Sequence, residues 1–166
     1  MPGRPHLRPS ILRRLPHYGA AVVLGASLVL ASAIGCSRTV TMADANPSAA
    51  VRAQCAALMG ALPEIVLDQH RRTVDPGQLS AAWGDPTITL KCGVDKPPGL
   101  GAESECFEVN GVGWFAEEAE GGYLFTTIGR PAYVQVGVPS KYAPEAHALV
   151  DLAEAVKTIP VKQPCL

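Results

Sequence analysis

Four cysteines, Cys55, Cys92, Cys106 and Cys165, are the side chains here best equipped for covalent chemistry, and their spacing points to cross-linking rather than catalysis. None stands in a CxxC pair, so neither a thioredoxin-type redox site nor a zinc site is indicated. An even set in an exported chain reads as two disulfides, with three connectivities open. The favoured pairs are Cys92–Cys106, which closes a local loop, and Cys55–Cys165, which ties the start of the domain to its last residues. Recognition is the other chemistry on offer. Trp83, Asp85, Trp114 and Arg130 are expected at one end of a sheet, where aromatic faces pack a ligand and a guanidinium holds a carboxylate or phosphate. Each also has a structural reading: the tryptophans as core, Asp85 as the turn residue before Pro86, Arg130 as a strand-end charge. Catalytic patterns do not stand out. Beyond Cys36 the histidines are His70 and His147, and no serine sits in a hydrolase or penicillin-binding motif. Neither H-E-x-x-H nor G-x-x-x-x-G-K occurs. Asp68 with His70, and Glu103 with Glu105, read as exposed polar pairs. Neither a metal nor a cofactor is expected.

The fifth cysteine ends the run Ala20 to Cys36, AAVVLGASLVLASAIGC. Arg4, Arg8, Arg13 and Arg14 precede the run without any acid, and small residues close it, the three parts of an export signal. Gly25 and Ser27 interrupt a stretch already shorter than the ~20 apolar residues of a spanning helix. Ala33-Ile34-Gly35-Cys36 is similar to a bacterial lipobox, with Gly35-Cys36 carrying most of the likeness. Residues 1–35 are therefore read as a signal peptide or membrane anchor, and Cys36 as a lipidation site. Two or more acyl chains give stable attachment to the outer face of the cytoplasmic membrane. Secretion without lipid and an uncleaved helical anchor are the alternatives.

A cut before Cys36 leaves 131 residues, enough for one domain, with ten Lys and Arg against fifteen Asp and Glu. That balance argues against nucleic acid, whose backbone calls for clustered cations. His70-Arg71-Arg72 is read as a solvated turn or strand edge.

Residues 36–46 are small and polar and read as a flexible tether. The domain proper, 47–166, opens with a helix from Pro47 to about Met59, capped by Asn46, with Val51, Cys55, Leu58 and Leu62 at helical spacing. Residues 64–76 yield no clear element. Ile88, Leu90, Cys92 and Val94 alternate with Thr87, Thr89 and Lys91, a half-buried strand. Asn110-Gly111 joins 106–109 to 112–115 as a tight hairpin that sets Phe107 opposite Trp114. Alternation then turns Cys106 away from the face of Cys92. Either Cys106 precedes the regular pairing, or the Cys92–Cys106 bridge fails. An acidic loop at 117–122, strands at 123–128 and 132–138, and a final helix with Leu149, Leu152, Ala153 and Val156 in a stripe complete the chain. The expected fold is α+β, with four or five mostly antiparallel strands and two terminal helices packed on one face.

Cys55-x-x-Leu58, Ala61-Leu62-Pro63, Arg71-Arg72, Trp83-Gly84-Asp85-Pro86, Leu90-Lys91-Cys92-Gly93-Val94, Val109-Asn110-Gly111-Val112-x-Trp114 and Thr126-Thr127-x-Gly129-Arg130 follow one another in this order. The set resembles an actinobacterial envelope family catalogued as domain of unknown function 3515. That resemblance implies a short, exported or membrane-anchored, cysteine-bearing protein and brings no activity, cofactor or catalytic residue. Two classes of function follow. One is a non-catalytic, membrane-tethered module that binds an envelope component or a membrane protein. The other is a small extracytoplasmic hydrolase whose site follows no known pattern.

Overall fold

The computed structural model of the chain describes residues 39–165. The signal segment 1–35 and Cys36 lie outside the described residues. The chain enters on a short strand, β1 (Val40–Met42), followed by helix α1 (Ala49–Ala61). Four short strands come next: β2 (Ile65–Val66), β3 (Gln69–Arg72), β4 (Val74–Pro76) and β5 (Ser80–Trp83). The longer strands are β6 (Ile88–Val94), β8 (Val112–Ala119), β9 (Gly122–Thr127) and β10 (Tyr133–Pro139), with the brief β7 (Phe107–Val109) before β8; helix α2 (Ala148–Val156) closes the fold.

Eight strands form one sheet in the order β2-β3-β5-β6-β10-β9-β8-β7, every neighbouring pair antiparallel, while β1 and β4 pair in parallel apart from it. The α+β class stands; the strands number eight in the main sheet rather than four or five. The additional ones come from residues 65–83. Gln69–Arg72 shows no apolar alternation because β3 is held by backbone pairing to β2 and β5.

The core lies between one face of the sheet and the two helices. Leu58 of α1 and Leu149, Leu152 and Val156 of α2 pack with Trp83, Leu90, Val136 and Trp114. On the strands these positions alternate, and at α2 they recur every three or four residues, so each element buries one side. Buried leucines and valines contribute roughly 1.5–3 kcal/mol each, which makes this layer the main source of stability.

Three local expectations are corrected. The segment read as a tether is structured from Val40 on: Met42 is buried, and its carbonyl accepts from Gly77 N at 2.9 Å. The carboxylate of Asp44 then binds Gln78 N (2.7 Å), Leu79 N (2.8 Å) and the Ser80 hydroxyl (2.9 Å). Helix α1 is capped by Ser48, whose Oγ accepts from Val51 N, and not by Asn46. Pro47 instead packs so tightly on Gly93 that a Cβ there would lie 2.8 Å from its ring. The acidic loop is shorter than expected, because Glu117–Ala119 continue β8 and only Glu120-Gly121 turns.

The disulfides are Cys55–Cys92 and Cys106–Cys165, not Cys92–Cys106 and Cys55–Cys165. The alternation explains why. Cys92 points into the core, where α1 presents Cys55, with 5.6 Å between the Cα atoms. Cys106 precedes β7 and lies on the other side of the sheet: a Cβ on Gly113, which neighbours the inward Trp114, would meet both Sγ atoms of the second bridge. The sheet itself stands between Cys92 and Cys106.

Candidate functional site

The four residues expected to converge do not. Trp83 is paired with Ile88, and Gly137 with Thr89, whereas Val94 is paired with Tyr133. Trp83 and Asp85 therefore sit at one end of the strands. Arg130, in the turn between β9 and β10, sits at the other, and Trp114, paired with Thr127, lies toward it. Both tryptophans are 0% exposed, so neither offers a face to a ligand.

What gathers around Trp83 is structural. Its indole N–H donates to Pro63 O at 3.0 Å, and the Arg71 guanidinium lies 5.9 Å over its ring. Arg72 donates to Gly84 O (2.9 Å) and to the Thr87 hydroxyl (3.0 Å), while the Tyr142 hydroxyl donates to Pro86 O (2.7 Å). Lys141 closes the turn on the carbonyl of Asp85 at 2.9 Å, and the Asp85 side chain is left exposed. Arg71-Arg72 thus belongs to the packing of the Trp-Gly-Asp-Pro turn and is not a solvated edge.

Arg130 lines a cavity of about 460 Å³. Its walls are the loop after β6 (Lys96, Leu100 to Ala102, Ser104, Cys106), the β9–β10 turn with Tyr133, and the tail Gln163–Cys165. Irregular segments make a defined wall here because each is tied down. The Ser104 hydroxyl accepts from Gly101 N (2.8 Å) and donates to Gly99 O (3.0 Å), folding the loop on itself. Gly129, at φ +70°, lets the tail cross so closely that Lys162 N and Gln163 N both bond its carbonyl, at 2.7 and 3.1 Å. The Cys106–Cys165 bridge then joins loop to tail. Where β10 slips register between Tyr133 and Val134, the freed Val134 N–H is taken by the Thr127 hydroxyl at 2.9 Å.

Arg130 as a residue is 6% exposed. One Nη donates to Ile159 O, while Nε is buried without a partner. Among the described residues no carboxylate lies within 4.0 Å of the guanidinium. Burial draws its pKa below the ordinary arginine value, yet an arginine so placed stays charged at neutral pH. Sequence reasoning singled out Arg130 and missed Lys96, Ser104 and Tyr133, which carry no motif and meet only through the folded loop.

Glu103, Glu105, Asp68 and His70 are exposed except for one half-buried neighbour, Ser104, between the first two. Among the described residues no group of three or more His, Cys, Asp or Glu is placed to hold a metal ion, and no helix is long and apolar enough to cross a membrane. The two disulfides accord with an extracytoplasmic location. A family model described as "Protein of unknown function (DUF3515)" matches residues 18–164. No curated protein and no solved structure matches the chain.

Proposed function

The chain belongs to the DUF3515 family of proteins of unknown function, and from that premise we propose that it is an exported binding module of the cell envelope. Lipid on Cys36 holds it at the outer face of the cytoplasmic membrane, and it acts by binding a ligand or partner rather than by catalysis. The observation that carries this reading is the cavity beside Arg130, whose volume of about 460 Å³ falls within the range of small-molecule sites. Its polar lining consists of Arg130, Lys96, Ser104, Tyr133 and Gln163, hydrogen-bonding groups able to hold and orient a ligand. The wall is fastened by the Cys106–Cys165 bridge and by the tail's bonds to Gly129, an arrangement that pre-organises a site.

Two measurements test it. The intact, non-reduced mass of the protein from native membranes should begin at Cys36, include acyl lipid and fall four hydrogens below the reduced chain. A full-length mass would replace lipid by a helical anchor, and a reduced chain would undo the exported reading. For the cavity, Ala102→Trp places a bulky group on an exposed wall position. It should leave the melting temperature unchanged and abolish complementation of cells lacking the protein.

A further inference from the structure

Resting on that binding reading, we infer that the cavity is an oxyanion site, in which Arg130, assisted by Lys96, holds the carboxylate or phosphate group of a small, partly apolar ligand. A cation removed from water is costly unless a counter-charge and hydrogen bonds replace the lost hydration. Arg130 is almost fully enclosed, spends one N–H on Ile159 O, and has a buried Nε–H with no partner. A bond to one carbonyl asks only for a single donor, whereas a guanidinium brings five in a planar fork that matches an oxyanion.

The surroundings lean the same way. Acids outnumber cations in the chain beyond Cys36, yet the cavity is lined by two cations and by no Asp or Glu. Leu100, Ile128 and Tyr133 line it as well and give the rest of the ligand an apolar and aromatic wall. Planar carboxylates and tetrahedral phosphates both accept the guanidinium fork, so the shared chemistry is the oxyanion.

The test uses the lipidated protein in detergent micelles at low, constant ionic strength, because the exposed Lys96 is screened by salt. Phenyl phosphate, benzoate and the neutral benzamide are titrated while the arginine Nε–H resonances are followed. An anion should bind saturably and shift the Arg130 resonance, benzamide should not, and Ala102→Trp should abolish the effect. Arg130→Lys should weaken binding about tenfold, as should Lys96→Glu. Should Arg130→Lys fail to fold, the two exposed positions still decide the matter. Binding of phenyl phosphate alone assigns a phosphate-bearing ligand, and of benzoate alone a carboxylate; either supports the inference. Benzamide binding as tightly as the anions, or anions acting alike on the wild type and Ala102→Trp, would overturn it. In that event, failure of Ala102→Trp to complement would leave the binding reading standing for a neutral ligand, whereas full complementation would remove that reading too.

Discussion

Two tryptophans buried to the same depth differ in one hydrogen bond, and that difference is measurable. Trp83 gives its N–H to Pro63 O, whereas the Trp114 N–H has no partner. Both lose ring volume when changed to Phe, but Trp83→Phe also strands a partly buried carbonyl, and Trp114→Phe removes an unsatisfied donor. Trp83→Phe should therefore be the more destabilising by about 1 kcal/mol or more in urea unfolding. Equal losses would mean that the Trp114 N–H is satisfied in solution. Asp44 supplies a pH-dependent counterpart. Burial by itself would raise its pKa, but the Gln78 and Leu79 N–H groups, the Ser80 hydroxyl and the field of Arg52 outweigh burial and hold it below the ordinary 3.8. With the folded-state value depressed, its contribution is complete above 3.8 and is lost as pH falls through the folded value. Stability of the wild type should thus fall more steeply with acid than that of Asp44→Asn, as denaturation from about pH 6 to about pH 2 would reveal. At this scale the sequence was legible where a residue type has one common use, as with Asn110-Gly111 in its turn. It was silent on burial of charge: Arg71, Arg72 and Arg130 all stand beside turns, and nothing in their spacing separates a packed arginine from a solvated one.

Among the elements, those with strong periodicity were readable. Strand β6, the β7–β8 hairpin and the buried stripe of α2 follow the expected patterns, and Phe107 does face Trp114. Strands β2 to β5 escaped notice because they are two to four residues long, too short for a pattern to repeat. The cysteine pairing was illegible for a related reason: it depends on which side of a sheet each residue occupies, and that is settled by tertiary packing. The outcome puts one bridge on each side, and the two should respond differently to reductant. Cys55 and Cys92 are 0% exposed, whereas Cys106 and Cys165 line the open cavity. Brief reduction under native conditions, followed by alkylation, should add two alkyl groups and leave Cys55–Cys92 intact; four groups at once would mean that the core bridge opens without unfolding. Gly129→Ala should loosen the same region, since a Cβ there would overlap the Gln163 carbonyl and φ is already positive. The expected sign is faster reduction of Cys106–Cys165 with little change in the unfolding of the core.

At the scale of the whole molecule, the α+β class and the helices on one face follow from segment order, while the cavity is legible only after folding, because three unpatterned segments build it. The strand β1 has a further bearing on height. Four peptide steps separate Cys36 from Val40, where pairing with Val74 begins, and a fully extended chain of that length reaches about 14 Å. A domain acylated at Cys36 would ride against the lipid headgroups on a leash too short to let it wander or turn over. Its ligand or partner would have to meet it at that level. Inserting a Gly/Ser linker of roughly 20 residues between Arg38 and Thr39 would lengthen the leash by about 25 Å without touching the fold. Loss of complementation with normal stability and lipidation would identify the protein as a device whose distance from the bilayer is part of how it works; full complementation would show that confinement to the membrane surface is enough.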